Sequence, residues 1–224
     1  MTDTPSLPSV RDDWRVVSGG LLRGLSHDLN GRVTALHAVA LALEDGDIEH
    51  ASALLVDEAG RLETLARRLE SLSHTYDDAE AVELGTLVED ALALARLDRE
   101  LAPLELACHV GDVPSAQVPR AVFLRLFLAI LTGLGRSARR SGADAVQVQC
   151  ETEDTDVLLV AAVSDVAGDA HAAVHGFADA PVFGVLAAVA TAIHGALAAH
   201  TDDDPRVELR VPSINAPKRA PLDI

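Results

Sequence analysis

Aromatic residues are scarce in this chain: four Phe, one Tyr and one Trp among 224 residues, 3% in all. The core is therefore expected to be built from Leu, Val and Ala, which favours helices over a β-sandwich. Cysteine is nearly absent. Cys108 and Cys150 fit neither a disulfide framework nor a metal-ligand spacing. Both lie in strand-like runs and read as buried, reduced thiols of a reducing compartment. The nine His are scattered with no paired spacing, so no metal site is expected. Basic residues are few, 18 Lys and Arg against 35 Asp and Glu, and the net charge of −17 excludes nucleic acid and an anionic membrane surface as partners. Long pure hydrophobic runs are missing too. The apolar segment Val182–His200 is interrupted by Gly184 and Gly195 and has the small-residue texture of a packed helix. Met1–Asp13 has neither a basic region nor an apolar stretch of signal type. These absences together lead to the expectation of a cytoplasmic protein.

What is present is a 49% hydrophobic chain with two textures. Residues 1–12, with Pro5 and Pro8, read as a flexible tail. Two long helices follow, Asp13–Glu44 and Ile48–Tyr76. They are separated by Asp45-Gly46-Asp47, in which the glycine supplies the turn and Asp47 a cap. The first has an apolar stripe at Leu22, Leu25, Leu29, Val33, Leu36, Ala40 and Leu43; the second at Leu55, Ala59, Leu62, Leu65, Leu69, Leu72 and Tyr76. An antiparallel hairpin cannot bury both stripes by itself. A second copy would complete a four-helix bundle, so a homodimer is expected.

After a polar linker at 77–81 the pattern changes. Residues 84–97 read as a helix, 104–110 as a strand, 119–140 as a helix, 146–150 and 157–163 as strands, 182–194 as a helix and 207–211 as a closing strand. The expected fold is α+β: the helical hairpin of residues 13–76, then an α/β sandwich over 82–212, with 213–224 as a second flexible tail.

Within the first helix, Leu25-Ser26-His27-Asp28-Leu29-Asn30 places His27 two residues from both Leu25 and Leu29. At about 100° per residue that is the side opposite the apolar stripe. His27 therefore faces solvent in mid-helix, with Arg23, Gly24, Asn30 and Gly31 one turn away. Interior glycines cost a helix roughly 1 kcal/mol each relative to alanine. Gly24 and Gly31 are expected to leave the histidine bare for a docking partner.

Over about residues 15–212 the chain resembles the catalytic portion of bacterial two-component sensor histidine kinases. His27-Asp28 matches the His-acid pair that opens the conserved helix of their dimerisation and histidine-phosphotransfer domain. The second half resembles their ATP-binding domain with its nucleotide boxes lost. Residues 127–138 fall on the asparagine box, with Ala129 and Gly133 at the asparagine positions. Asp165 stands at the first glycine box, with Ala167 and Asp169 where glycines belong. Pro181-Val182-Phe183 replaces the second, although the closing His194-Gly195 survives. Alanine offers no oxygen to magnesium, and Asp169 would place negative charge where a phosphate should lie.

The resemblance therefore implies a histidine phosphotransferase of the kind that looks like a truncated sensor kinase. It would shuttle a phosphoryl group between receiver-domain aspartates through His27, without ATP. His27 would be the nucleophile, with Asp28 orienting the ring or accepting its proton. Arg23, Gly24, Asn30, Gly31 and Thr34 would form the docking face. The receiver would bring its own magnesium, so no cofactor or metal belongs to this chain. Gly31 and Arg32 stand where dual-function kinases carry a water-positioning Thr or Asn and a Pro, which argues against phosphatase activity. A dimeric regulatory pseudokinase that binds its partner without taking phosphate, and an atypical active kinase, are the alternative readings.

Overall fold

A computed structural model describes residues 10–73, 79–111, 115–153, 156–164 and 168–214, with the backbone alone for 10–20, 71 and 73. Helices α1 (Val10–Glu44) and α2 (Ile48–Ser73) form the antiparallel hairpin. The turn follows the expected chemistry: Gly46 has φ +83°, and Asp47 Oδ1 accepts the His50 N–H at 3.1 Å. Tyr76 lies outside the described residues.

Eleven further elements follow among the described residues. They are β1 (Glu80–Val82), α3 (Leu84–Ala95), β2 (Glu105–Val110), β3 (Ala116–Val118), α4 (Arg120–Arg140), β4 (Ala145–Glu153) and β5 (Asp156–Val163), then α5 (Ala170–Ala178), α6 (Pro181–Ala192), β6 (Ala196–His200) and β7 (Arg206–Pro212). Five strands make one sheet in the order β2-β4-β5-β7-β6. The β2–β4 pair is parallel and the others antiparallel; β1 and β3 pair separately. In β4, Val146, Val148 and Cys150 are buried while Gln147 and Gln149 are exposed, the alternation of a sheet covered on one face. The architecture is thus α+β, a helical hairpin followed by a two-layer sandwich.

Helix α4 is the centre of the second layer. Phe123 and Phe127 stack at 5.9 Å, and Leu124, Leu128, Ile130, Leu131 and Leu134 are fully buried around them. It is long and apolar enough to cross a membrane by composition, but here it is the core of the sandwich. The short β1 and β3 were not expected, and three further points differ from the sequence expectation. Residues 170–178, expected as loop, form α5, started by Asp169, whose Oδ1 accepts the Ala172 N–H at 2.8 Å. The apolar segment expected as one helix ends at Ala192: His194 turns into the left-handed region (φ 60°), and β6 follows. The expected C-terminal tail is docked as far as Ile214, with Ser213 bridging Ala116 and the Ile214 N–H bonded to Ser115 O at 2.9 Å.

The apolar stripe of α1 also divides. Leu21 and Val39 are the buried residues toward α2, and Leu25 and Leu36 are half-buried. Leu22 (62% exposed), Val33 (64%), Leu29, Ala40 and Leu43 are open to solvent. On α2, Ala51 and Leu65 are buried, Leu62, Leu69 and Leu72 are half-buried, and Leu55, Val56 and Ala59 are exposed.

Candidate functional site

The turns of α1 give its surface three sides. One holds His27 with Arg23, Asn30, Gly31 and Thr34, all exposed. The second, about 100° around, holds Asp28 and Arg32 and faces α2. The third is the open stripe of Leu22, Leu29 and Val33. His27 makes no hydrogen bond or ion pair with any described residue. Thr34 Oγ1 returns its proton to Asn30 O at 3.0 Å, a local bond that keeps the hydroxyl on its own helix.

Of the two glycines expected to bare the histidine, one does. A Cβ on Gly31 would meet nothing within 4 Å. Gly24 does not belong to the open face. It is buried, and a Cβ there would stand 1.5 Å from the Leu97 carbonyl oxygen and 2.4 Å from its carbon. Its smallness lets α1 lie directly on the loop after α3, one turn before His27.

Asp28 is committed elsewhere. Its carboxylate accepts from Arg32 Nε at 3.1 Å and from the same guanidinium at 3.5 Å. Arg32 Nη1 also donates to Glu58 Oε2 at 3.2 Å, and Arg61 reaches the other Glu58 oxygen at 3.5 Å. Glu58 is only 6% exposed, so its charge is carried inside the hairpin by two guanidinium groups. No hydrogen bond joins Asp28 to His27. Adjacent residues on a helix do not face each other.

Two cavities border this region. A cleft of about 410 Å³ lies among α1, α2 and the end of α3, lined by Asp28, Arg32, Asp57, Arg61, Arg68 and Leu97 among others. An apolar one of about 360 Å³ is lined entirely by leucines, Leu21, Leu22, Leu25, Leu69, Leu72, Leu94 and Leu97. The hairpin is fastened to the sandwich beside them by Arg68 Nε to Asp90 Oδ1 at 3.1 Å and by Arg125 Nε to Leu72 O at 2.9 Å.

The positions aligned with nucleotide boxes have packing roles. Gly133 makes room for a ring: a Cβ there would be 2.4 Å from Phe177 Cε2. Phe177, fully buried, crosses from α5 and meets Phe183 edge-on at 5.5 Å. Ala129 is a core residue, Asp169 caps α5, and Pro181 occupies the first turn of α6, where its missing N–H costs nothing. Asp165 and Ala167 lie outside the described residues. Among the described residues no cluster of three or more His, Cys, Asp or Glu could hold a metal ion.

Glu58, Arg61 and Leu97 are site neighbours that sequence reasoning did not single out, and it singled out Arg32 only as the residue that stands in place of a Pro. Only the Asp28–Arg32 spacing of four was readable beforehand. No family model matches the sequence, and no curated protein does. Solved structures similar to the chain include the Acinetobacter baumannii histidine kinase AdeS, with 17% identity over 84% of this chain and 98% of that one, at a TM-score of 0.43. A bacterial phosphotransferase matches with 17% identity over 92% of this chain and 98% of its own, at 0.43. The nucleotide-free catalytic domain of the histidine kinase ThkA matches with 9% identity over 61% of this chain and 97% of its own, at 0.45.

Proposed function

We propose that the chain is a dimeric histidine phosphotransferase of a two-component phosphorelay, working in the cytoplasm through His27. A ring nitrogen of His27 attacks the aspartyl phosphate of one receiver domain. The N–P bond forms as the P–O bond to the aspartate breaks, and a second receiver takes the phosphoryl group by the reverse step. Magnesium and the cation that steady the phosphoryl group come with the receiver. The observation that carries this reading is the bare face around His27, where Gly31 opens onto empty space and no carboxylate other than the captured Asp28 stands within a turn.

Two further features support it. The unpartnered stripe of Leu22, Leu29 and Val33, continued by Leu55 on α2, suits a second copy that completes a four-helix bundle. The packing of Phe177 on Gly133 leaves no room for the asparagine side chain that the resemblance expects at that position, which opposes an ATP-dependent kinase. Arg23, Asn30 and Thr34 remain the proposed docking residues beside Gly31, whereas Gly24 serves the sandwich contact.

A second reading, a regulatory dimer that binds a receiver or kinase without taking phosphate, is favoured by one observation: His27 has no base bonded to it. Incubation with phosphorylated receiver domains, followed by a search for acid-labile phosphate, separates the two. Transfer that disappears in His27→Ala, with helicity and dimer intact, is the expected result. Binding with no phosphate on His27 selects the regulatory reading, and phosphate on His37, His50 or His74 sinks the assignment.

A further inference from the structure

We propose that Arg32 is a positioning residue for chemistry at His27: braced on the buried Glu58, it holds the Asp28 carboxylate in the seam between α1 and α2 and keeps negative charge off the histidine face. The proposal rests on the transfer reading above.

The charge distribution motivates it. The chain carries 35 acidic residues against 18 basic ones, yet between Leu21 and Ala42 the only acid is Asp28. That single carboxylate, one residue from His27, is bound through both oxygens by Arg32. Released from Arg32, it would no longer be held in the seam between the helices. A phosphoryl group near neutral pH carries roughly two negative charges, so a loose carboxylate there opposes its approach. Arg32 is itself immobilised. Its side chain is 18% exposed, and Nη1 is fixed on Glu58, which Arg61 grips from the far side. A guanidinium suits the task because its fork serves two carboxylates at once, which an ammonium cannot do in fixed geometry.

The same bonds would arise if Arg32 did no more than tie α1 to α2. The roles part on what happens when Asp28 is neutralised as well. If Arg32 only ties the helices, its loss harms the hairpin whatever occupies position 28. If Arg32 guards His27, its loss matters only while position 28 is charged.

The test uses the full chain with phosphoramidate, which phosphorylates histidine without a receiver. The ring nitrogen lone pair forms the N–P bond, the P–N bond of the reagent breaks, and ammonia leaves. Phosphate on His27 is read by mass spectrometry, and circular dichroism checks helicity. Arg32→Leu should slow the reaction on the order of tenfold, and Arg32→Leu with Asp28→Asn should return it to within about threefold of the native rate, the scale of one unit charge a few ångströms from the reacting group. Arg32→Lys should fall between. Glu58→Gln keeps the side-chain volume and should slow the reaction less than Arg32→Leu. It serves as the reporter if Arg32→Leu loses helicity, again with Asp28→Asn as its rescue. Native reactivity in both Arg32→Leu and Glu58→Gln overturns the proposal. So does a double variant as slow as the single, or slower, as it would be if Asp28 were the base. Absence of phosphate on His27 of the native chain overturns it too. A native chain reactive here but inert toward phosphorylated receivers removes the transfer reading, while the same rate ratios still decide the role of Arg32.

Discussion

Gly24 on α1 touches the backbone carbonyl of Leu97 so closely that a Cβ would stand 1.5 Å from the oxygen. The partner is backbone and cannot swing aside. Alanine usually favours a helix by about 1 kcal/mol over glycine, but forcing a methyl group into a packed contact costs typically 1–3 kcal/mol. Gly24→Ala is therefore expected to destabilise the chain or to part the hairpin from the sandwich. Faster amide exchange at Leu94–Leu97 together with a lower Tm would show it. A raised Tm would refute the contact.

Gly31 behaves in the opposite way, since a Cβ there meets nothing. Gly31→Ala is expected to stabilise the helix by up to about 1 kcal/mol. Gly31→Leu should keep most of that gain while weakening receiver binding by its bulk. Thermal unfolding and receiver titration on the same two variants check both halves. A Gly31→Leu chain that binds receivers as tightly as the native one would move the docking face elsewhere.

These two glycines show what the sequence made legible. From sequence alone they were alike, because the atom that distinguishes them belongs to Leu97, far along the chain. The exposure of His27 was legible, since it follows from helical period within a few residues. So was the turn at Gly46, where local chemistry decides. The division of the α1 stripe was not. Periodicity marks Leu22 and Leu25 as apolar but cannot say that Leu25 is half-buried while Leu22 stays 62% exposed. The Arg32–Glu58 pair depended on the register of the hairpin. Helix α5 was missed because a nine-residue helix with two His and a Gly lacks a clear stripe. Its best signal is Asp169 as a cap, at a position the resemblance assigns to a glycine.

The open stripe carries the prediction about assembly. Leu29 and Val33 are exposed in the single chain, at 40% and 64%. Burying a side chain of this size is worth about 1.5–3 kcal/mol, and a charge in its place reverses that. Val33→Glu is expected to yield a folded monomer, because no described residue of the same chain packs over that position. Sedimentation should give a native dimer at micromolar concentration and a monomeric variant. A native chain that stays monomeric there removes the bundle from the proposed function.

Cys108 on β2 and Cys150 on β4 were both expected to be buried, but Cys108 is half-buried and only Cys150 is fully covered. The hydrogen bond between them, with Cys150 as donor, lowers the Cys108 thiol below its ordinary value despite some burial. The same bond, with burial, pushes Cys150 well up. The thiolate is the reactive form. An alkylating reagent should modify Cys108 first, and Cys108→Ser should abolish the fast phase. Equal labelling of both cysteines in the folded chain would contradict the arrangement.

Glu208 on β7 gives the pH dependence. Its side chain is 8% exposed, and burial alone would raise its carboxyl. Arg206 Nε at 2.8 Å and His200 Nε2 at 3.2 Å outweigh burial and hold the group below the usual carboxylate range. A carboxyl lower in the folded than in the unfolded state stabilises the fold above the unfolded value, roughly pH 4.3 for glutamate. That contribution fades as pH falls through the lower, folded value. Glu208→Gln keeps the shape and loses the charge, so it should cost about 1–3 kcal/mol near neutral pH, where a charged partner of Arg206 is removed. Near pH 3 the gap between native and variant should narrow, because the native carboxyl is then giving up the same charge. Urea unfolding of both chains at the two pH values makes the comparison. A gap that stays constant with pH would mean that Glu208 acts by packing and not by its charge.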